Sequence, residues 1–556
     1  MSTAPRYRLA DSTLVEPLVQ SWPAWSYLLP PLPAALHASA YQIKTLESYL
    51  EDPAMHEKAS RDPALFGGPW VDVAMARQAE VRELLETMTS TRAEALTFAR
   101  AFMDFHRRLA SEAAGQSLEG FYPEIPDPVR GYVELVYDYY HRPFVRVHED
   151  LLYRSRHYDE GTQSLRLSTL QSDQRPFFMS TPSLAADADV SWTIPFRDPR
   201  VDELYRLDVT RRPLGEILDL LGLDERSSQR VRALLTDAPA RVGDRWTEER
   251  VRIRLVGHAC VLIEWKGIAI LTDPFVPVQP AEVGTTRISY RDLPERIDFA
   301  IITHNHQDHF ALETLLRLRH RIDCLVVPRP YRLLYGDLSL KRLATTIGFR
   351  HVVELDELET ITFGDGGITA VPFHGEHADL AHGKNGYVVR CGTAAVWFGA
   401  DSDCLDADLY RNTARLVGPI DALFLGTESV GGPLSWTNGP LLPAPPRPEH
   451  EAGRRYHGCC ARTALELLEA VGAPRIYVYA MGLEPWMDHL LGLGMNDEAP
   501  QWIESERLLS SARERGYIAE RLKGPCEVVL TREERPYAAV TAVRADRTAE
   551  ERQFEW

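Results

Sequence analysis

The amino-acid sequence predicts a layered α/β domain preceded by a mainly helical domain. Between residues 10 and 240 the apolar side chains recur mostly at helical spacing. Beyond residue 250, three β-rich runs are followed by strands that alternate with helices. A chain of 556 residues is also too long for one hydrophobic core. We therefore expect a mainly helical domain at 1–245 and an α/β domain at 246–556.

The N-terminal region contains two clear helical patterns. They are TRAEALTFARAFMDFHRRLA at 91–110 and PLGEILDLLGLDERSSQRVRALL at 213–235. Prolines punctuate the chain between them, as in GFYPEIPDPVRGY at 120–132, and proline does not continue a helix. The region is thus predicted to consist of helices joined by proline-bounded turns.

The C-terminal region opens with VRIRLVGHACVLIEWKGIAILTDPF at 251–275, which predicts a meander of three strands. Further strands are predicted at 297–302, 322–328, 359–373, 386–400, 420–426, 475–482, 526–532 and 537–543. Helices are predicted at 311–320, 461–472 and 504–522. The proline-rich segment 439–455 interrupts this order and is predicted to be a loop or lid.

Composition argues against several classes of protein. A net charge of −18 without a basic stripe argues against nucleic acid as a partner. No apolar run approaches the roughly 18 residues that cross a bilayer, so no membrane span is expected. The N-terminus lacks the apolar segment of a secretory signal, which makes the cytoplasm the expected compartment. The seven cysteines lack the spacing of a disulfide or zinc framework and are predicted to be reduced thiols.

The segment THNHQDHF at 303–310 has the highest density of metal-ligand types. His304, His306, Asp308 and His309 fall within six positions, after an apolar strand and before a helical pattern. Imidazole and carboxylate are the usual ligands of zinc, iron and manganese. A polar surface turn is the ordinary alternative, but it does not require four ligand types so close together. The segment therefore predicts a metal site at a strand-to-helix turn.

Two further polar segments follow apolar strands. HGEHAD begins at His374 after ITAVPF, and GADSD, which contains Asp401 and Asp403, follows TAAVWF. Open α/β sheets carry their chemistry at the carboxyl ends of strands, so these side chains are expected near the histidine motif.

This arrangement resembles the metallo-β-lactamase fold, an αββα sandwich with a dinuclear metal site. The resemblance covers roughly residues 250–500 and rests on LTDPF after the meander, the HxHxDH motif, and an aspartate after a WFGA-type strand. It implies that His304 and His306 bind the first metal. Asp308 and His309 would bind the second metal, and Asp401 would bridge the two. For the third ligand of the first metal, His374, Glu376 and His377 all remain candidates.

The whole chain more closely resembles the diiron β-hydroxylases of chloramphenicol biosynthesis and their relatives. The segments YRLADSTLVEPLVQSWPAWSYLLPP, SYLEDPAMHEK and HRPFVRVHEDLLY are similar to that family's first domain. This resemblance favours Glu376 as the third ligand, because the family has a glutamate there. A carboxylate in place of an imidazole makes a site harder and more anionic, which suits iron or manganese better than zinc. The resemblance also implies a last histidine ligand on the second iron. His489 is the candidate for it, and Asp488 is the alternative.

Five other residues could have a structural or a functional role. Asp403 would either orient a ligand or cap a helix. Glu428 would deliver protons to bound oxygen, act as a labile ligand, or merely cap a loop. His258 is expected to be a hydrogen-bonded structural histidine. Trp436 and Trp486 would line an aromatic pocket or, more commonly, pack in a core.

The implied reaction is O₂-dependent β-hydroxylation of an amino acid, with an aromatic one favoured, held as a thioester on a nonribosomal peptide synthetase carrier domain. The sequence has no flavin, nicotinamide or iron–sulfur motif, so a separate reductase or ferredoxin is implied. The N-terminal domain would serve carrier access and dimerisation, which implies a homodimer. A dinuclear zinc hydrolase of a thioester, lactone or phosphodiester is the alternative enzyme. A non-catalytic carrier-binding module is the alternative of another class.

Overall fold

The structure is a computed structural model that describes most of the chain. The described residues are 5–63, 65–282, 286–331, 335–375, 383–427, 433–449, 458–491 and 496–530. No helix in this described part is long and apolar enough to cross a membrane.

Helices and three small sheets build the N-terminal region as far as the structure describes it. The helices are Pro31–His37, Ile43–Glu51, Pro53–Ser60, Gln78–Thr91, Ala93–Glu112, Glu149–Leu152, Pro199–Tyr205, Leu214–Leu221 and Ser228–Ala233. The strands are β1 (Arg6–Leu9), β2 (Thr13–Val19), β3 (Trp22–Pro23), β4 (Val133–Tyr137), β5 (Pro143–Val147), β6 (Gln163–Thr169), β7 (Val190–Thr193), β8 (Arg212–Pro213) and β9 (Leu235–Thr236). Their sheets have the orders β8-β1-β9, β3-β2-β6-β7 and the hairpin β4-β5.

Of the two helical patterns predicted in this region, one forms a continuous helix and the other is broken into two helices. Residues Ala93–Glu112 form one helix, whose Phe98, Phe102, Phe105 and Leu109 share a buried face. The second pattern is broken at Gly222, which has φ +66° and ends the helix Leu214–Leu221. A left-handed residue of this kind stops a helix, and glycine adopts it without steric cost. The helix Ser228–Ala233 follows after this break.

In its described residues, the C-terminal region contains two seven-stranded sheets. The strands are β10 (Val251–Gly257), β11 (Cys260–Trp265), β12 (Ile268–Thr272), β13 (Ile297–Ile301), β14 (Ile322–Pro328), β15 (Val352–Leu355), β16 (Thr360–Phe363), β17 (Gly366–Pro372), β18 (Asn385–Cys391), β19 (Ala394–Ala400), β20 (Ala422–Leu425), β21 (Arg475–Val478), β22 (Ile518–Arg521) and β23 (Cys526–Leu530). The first sheet has the order β15-β14-β13-β12-β11-β10-β23 and the second β16-β17-β18-β19-β20-β21-β22. The antiparallel neighbours β10, β11 and β12 are the predicted meander.

The two sheets pack face to face between helical layers. Ile263 and Phe299 of the first sheet share a buried cluster with Tyr387 and Phe398 of the second. The outer face of the second sheet buries Trp397 and Leu423 against the helices. The helices of the C-terminal region are Leu312–Leu318, Leu340–Thr346, Ala407–Val417, Leu434–Asn438, Ala461–Val471, Asp488–Leu491 and Pro500–Glu514. These layers form the αββα sandwich expected of the metallo-β-lactamase fold.

The N-terminal region covers the outer face of the first sheet. One buried cluster contains Val15 and Tyr205 together with Leu262 and Leu315. A buried ion pair also crosses this boundary. Arg317 Nη2 lies 2.6 Å from Asp208 Oδ1. The two regions therefore share a core, and the boundary predicted at residue 245 stays a prediction.

Some elements were not indicated by the sequence patterns. The described strands of the N-terminal region are two to seven residues long and four of them contain a proline. The helix Leu340–Thr346 is brief, and the helix Ala407–Val417 is mostly polar. The segment predicted as a loop or lid begins with a short turn of helix at Gly439–Leu441, and its residues 450–455 lie outside the described residues. The strand predicted at 537–543 also lies outside them.

Candidate metal centre

The histidine motif follows the carboxyl end of β13, an inner strand of the first sheet. The segment from Thr303 to Phe310 links β13 to the helix Leu312–Leu318. His304 and His309 have no solvent exposure, and Asp308 is buried. The turn therefore directs its side chains into the molecule instead of toward solvent.

Asp401 comes to the same point from the second sheet, directly after β19. Nε2 of His309 lies 2.9 Å from Oδ2 of Asp401 and 3.4 Å from Oδ2 of Asp308. Nε2 of His304 lies 3.7 Å from Oδ2 of Asp401. The ring centroid of His304 lies 4.6 Å from that of His306 and 4.2 Å from that of His309. The structure thus brings together five of the predicted metal ligands.

The outer nitrogens of two of these histidines have hydrogen-bond partners. Nδ1 of His309 lies 2.9 Å from Oδ2 of Asp273, and Nδ1 of His304 lies 3.0 Å from Oγ1 of Thr303. Since the carboxylate of Asp273 accepts a hydrogen bond from the Nδ1–H of His309, Nε2 of the ring faces the centre. Metal-bound histidines are usually held in this way by a carboxylate. Asp273 was not singled out from the sequence, although LTDPF contains it.

His258 forms a hydrogen bond with Asp308, the carboxylate of the motif. Its Nδ1 accepts a hydrogen bond from the backbone N–H of Gly482 at 3.2 Å, so its Nε2 carries the proton. Nε2 then donates to Oδ2 of Asp308 at 2.9 Å. His258 is therefore hydrogen-bonded as expected, and it orients Asp308.

The electrostatics of the pocket favour a bound cation. Burial opposes the charge on Asp308, yet the imidazoles of His309 and His258 outweigh it and hold the pKa of this carboxyl well below its usual range. Burial also opposes protonation of His309, but Asp401, Asp308 and Asp273 raise the pKa of its imidazole well above its usual value. The carboxylates thus need a positive charge here, which a metal dication supplies while leaving the imidazoles neutral. The donor set fits metal ions.

The backbone around the centre is strained at four strand ends. His258, Asp273, Ala400 and Ala480 all have positive φ, at +51°, +33°, +47° and +53°. Non-glycine residues adopt this region at a cost of about 1–3 kcal/mol, and such positions cluster at functional sites. Ala400 directly precedes Asp401, so this strain turns the aspartate toward the histidines.

The segment containing the predicted third ligand is described only at its ends. Asp403 donates its backbone N–H to the carbonyl of His374 at 2.7 Å, and Lys384 Nζ donates to the carbonyl of Gly375 at 2.6 Å. A Cβ on Gly375 would lie 2.9 Å from Cβ of Asp403, so this close approach requires glycine. Glu376, His377 and Glu428 lie outside the described residues.

Asp403 and His374 are near the centre but turn elsewhere. Oδ1 of Asp403 accepts the backbone N–H of Cys404 at 2.7 Å, and the ring of His374 lies 6.3 Å from that of Tyr410. Neither belongs to the groups of side chains whose ligand atoms lie within 4.8 Å of one another among the described residues.

His489 lies outside those groups too. It is buried in the helix Asp488–Leu491, and its carbonyl accepts the backbone N–H of Phe178 at 3.1 Å. It lines a cavity of about 40 Å³ with Trp25, Phe178 and Phe310. Its role as a ligand stays a prediction. Trp486 is buried in the shared core, which is the commoner of the two expected roles.

Comparison with known proteins identifies the family. Residues 8–239 match the model of a diiron non-heme β-hydroxylase N-terminal domain, and residues 269–478 match that of a β-lactamase superfamily domain. The chain is 35% identical over 531 residues to 4-amino-L-phenylalanyl-[CmlP-peptidyl-carrier-protein] 3-hydroxylase of Streptomyces venezuelae. That match covers 93% of this chain and 98% of the relative.

Solved structures agree with this match. The crystal structure of CmlA, a diiron β-hydroxylase from Streptomyces venezuelae, is 34% identical with a TM-score of 0.87, covering 95% of this chain and all of that one. A point mutant of CmlA superposes with a TM-score of 0.84 at 34% identity, covering 94% of this chain and all of that one. The similarity extends over both regions of the chain. This protein belongs to the family of diiron non-heme β-hydroxylases.

Proposed function

We propose that this protein is an O₂-dependent diiron monooxygenase that hydroxylates the β-carbon of an amino acid bound as a thioester to a carrier domain of a nonribosomal peptide synthetase. The observation that carries the proposal is the buried cluster of His304, His309, Asp308 and Asp401 in a chain of the diiron β-hydroxylase family. The relative from Streptomyces venezuelae acts, by its name, on a carrier-bound aromatic amino acid. That name supports an aromatic substrate and a role in antibiotic biosynthesis here.

The proposed ligands divide into two sets that share Asp401. The first iron would be held by His304, His306, Glu376 and Asp401. The second would be held by Asp308, His309, Asp401 and His489. The close approach of His309 to Asp401 supports the shared carboxylate.

The metal pair supplies O₂ activation when bound, as in other diiron oxygenases. Overall, one oxygen atom enters a C–H bond and the other leaves as water, which consumes two electrons and two protons. A separate reductase or ferredoxin would donate the electrons. Asp403 and Glu428 are proposed as the residues that orient ligands and deliver protons. Asp273 and His258 hold His309 and Asp308 in place.

We extend the proposal to the N-terminal region and to the cellular compartment. The N-terminal region would control the access of the carrier-bound substrate and form a homodimer. Its closeness to the motif supports the first role, because Trp25 and Phe178 line a cavity together with Phe310. The seven free cysteines support a reducing compartment, and we include a cytoplasmic location in the proposal.

Metal analysis and oxygen labelling test the proposal together. We expect about two irons per chain after aerobic purification, with near-ultraviolet absorption bands that bleach on reduction and return with O₂. With ¹⁸O₂ and a chemical reductant, carrier-bound aromatic amino acids should gain one ¹⁸O atom, and the same free amino acids should not. Two zinc ions per chain, no such bands and hydrolysis of model thioesters would instead support the hydrolase and overturn the proposal.

A further inference from the structure

The short helical turn Ser26–Leu28 of the N-terminal region contacts the metal-binding motif directly. Ser26 Oγ donates a hydrogen bond to the carbonyl of Asn305 at 3.0 Å. Tyr27 OH accepts one from Asn305 Nδ2 at 3.1 Å. Asn305 lies between His304 and His306, and all three partners of this contact are buried, with Ser26 0% and Tyr27 2% exposed. The backbone between two proposed ligands is thus held by residues almost 280 positions earlier in the chain.

Tyr27 is itself held in place by the other domain. Its hydroxyl donates to the carbonyl of Gly336 at 2.8 Å, and Asn305 Nδ2 also reaches that carbonyl, at 3.3 Å. Tyr27, Asn305 and Gly336 therefore form a closed ring of polar contacts. Such a buried ring fixes the rotamer of each member, because breaking one contact leaves buried groups without a partner.

A second contact from the N-terminal region reaches the helix Asp488–Leu491. The backbone N–H of Phe178 donates to the carbonyl of His489. Aromatic packing connects the two contacts, because the ring of Trp25 lies 5.8 Å from that of Phe178 and 5.0 Å from that of Tyr27. One contiguous part of the N-terminal region thus contacts both the motif and the helix that contains His489.

Metal sites tolerate little displacement of their ligands, about 0.5 Å, so residues that fix the backbone between ligands affect the metal. We propose that Ser26 and Tyr27 are positioning residues of the metal centre, which act through Asn305 to set the separation of His304 and His306. This inference rests on the proposed function for the identity of those two ligands. On this inference, part of the metal site's support lies in the N-terminal region, which shares a core with the sandwich.

The test compares Tyr27→Phe and Ser26→Ala with Tyr49→Phe in the full-length protein. Tyr49 offers a matched control, because its buried hydroxyl also donates to a backbone carbonyl of the N-terminal region, that of Val73 at 3.1 Å. Each protein is stripped of metal and loaded with Co²⁺, whose visible absorption reports coordination geometry. The rate of Co²⁺ loss to excess chelator is then measured, and circular dichroism reports folding.

We expect Tyr27→Phe and Ser26→Ala to lose Co²⁺ about tenfold faster than the wild type, with an altered visible band, since outer hydrogen-bond partners commonly carry that much of metal affinity. Tyr49→Phe should match the wild type in both measurements. Folded Tyr27→Phe and Ser26→Ala proteins with the wild-type rate and spectrum would overturn the inference. If Tyr27→Phe does not fold, the smaller change Ser26→Ala decides alone.

The Co²⁺ measurement does not depend on oxygen chemistry. A wild type that holds Co²⁺ tightly but hydroxylates no carrier-bound substrate with iron would overturn the proposed function. The comparison of the variants would still decide the role of Ser26 and Tyr27.

Discussion

Asp273 and His309 lie 2.9 Å apart, from carboxylate Oδ2 to imidazole Nδ1, and neither side chain is exposed to solvent. Burial raises the pKa of Asp273, although the imidazole of His309 and the hydroxyl and backbone N–H of Thr303 oppose that rise. The pair links the end of β12 to the motif after β13, so the order of parallel strands in the first sheet places a hydrogen-bond acceptor behind a proposed metal ligand.

Asp273→Asn should weaken metal binding. The amide is a weaker acceptor than the carboxylate and no longer fixes the tautomer of His309, so we expect metal affinity to fall about 10–100-fold. Competition with a chromophoric chelator measures this. Asp298→Asn is the matched control, because Asp298 is also buried in the first sheet but accepts from Ala269 away from the motif. Equal affinity of the two variants would contradict this role of Asp273.

His304→Ala should remove a metal ligand without unfolding the protein. The imidazole of His304 is grouped with His309 and Asp401, outside the apolar core of the sandwich, so the fold should persist in the metal-free state. We expect less than one tightly bound iron at the first position, seen as a fall in iron per chain by elemental analysis. His351→Ala, at an exposed histidine, should keep the wild-type iron content. An unchanged iron content in His304→Ala would refute its assignment as a ligand.

Acid should destabilise the protein partly through His37. Burial lowers the pKa of His37 to about 3, and its ring packs against those of Trp25 and Tyr27. In the unfolded chain, the imidazole of His37 is protonated below about pH 6.5. The stability that neutral His37 contributes is therefore fully present above about pH 6.5. As the pH drops from there toward 3, the free energy of unfolding falls by about 1.4 kcal/mol per pH unit because of this residue.

The slope is measured by urea unfolding of the metal-free protein between pH 7 and pH 5. His37→Gln cannot be protonated and should show a slope smaller by about one proton. His351→Gln removes an exposed histidine and should leave the slope unchanged. A His37→Gln slope equal to that of the wild type would show that His37 does not contribute.

Arg317→Met should strongly destabilise the contact between the two regions. Arg317 and Asp208 are 4% and 5% exposed, and the guanidinium contacts the carboxylate through Nε and Nη2. Removing one partner leaves a buried charge, which costs about 3–5 kcal/mol in the free energy of unfolding. Urea denaturation measures the loss. The exposed pair of Arg411 and Asp408 supplies the control Arg411→Met, for which we expect about 0–1 kcal/mol. Similar losses in both variants would contradict the importance of burial at this boundary.

The sequence was most informative about local features. The meander, the strand before the histidine motif and the helix after it follow from apolar runs and their spacing, which local sequence encodes directly. The density of ligand types in 304–309 predicted a metal site, and the resemblance to the metallo-β-lactamase fold implied that Asp401 is a ligand. Short strands such as β8 and β9 carry too few residues for a periodic pattern, so they could not be predicted.

Tertiary structure alone decided which distant groups support the centre. Asp401 meets His309 because two sheets pack face to face, and Asp273 meets it because β12 and β13 are parallel neighbours. Ser26 reaches Asn305 because the N-terminal region shares a core with the first sheet. Local sequence specifies strands, helices and ligand types through side-chain periodicity and chemistry. Contacts between segments hundreds of residues apart depend on how those elements bury their apolar faces together, and no local pattern encodes that choice.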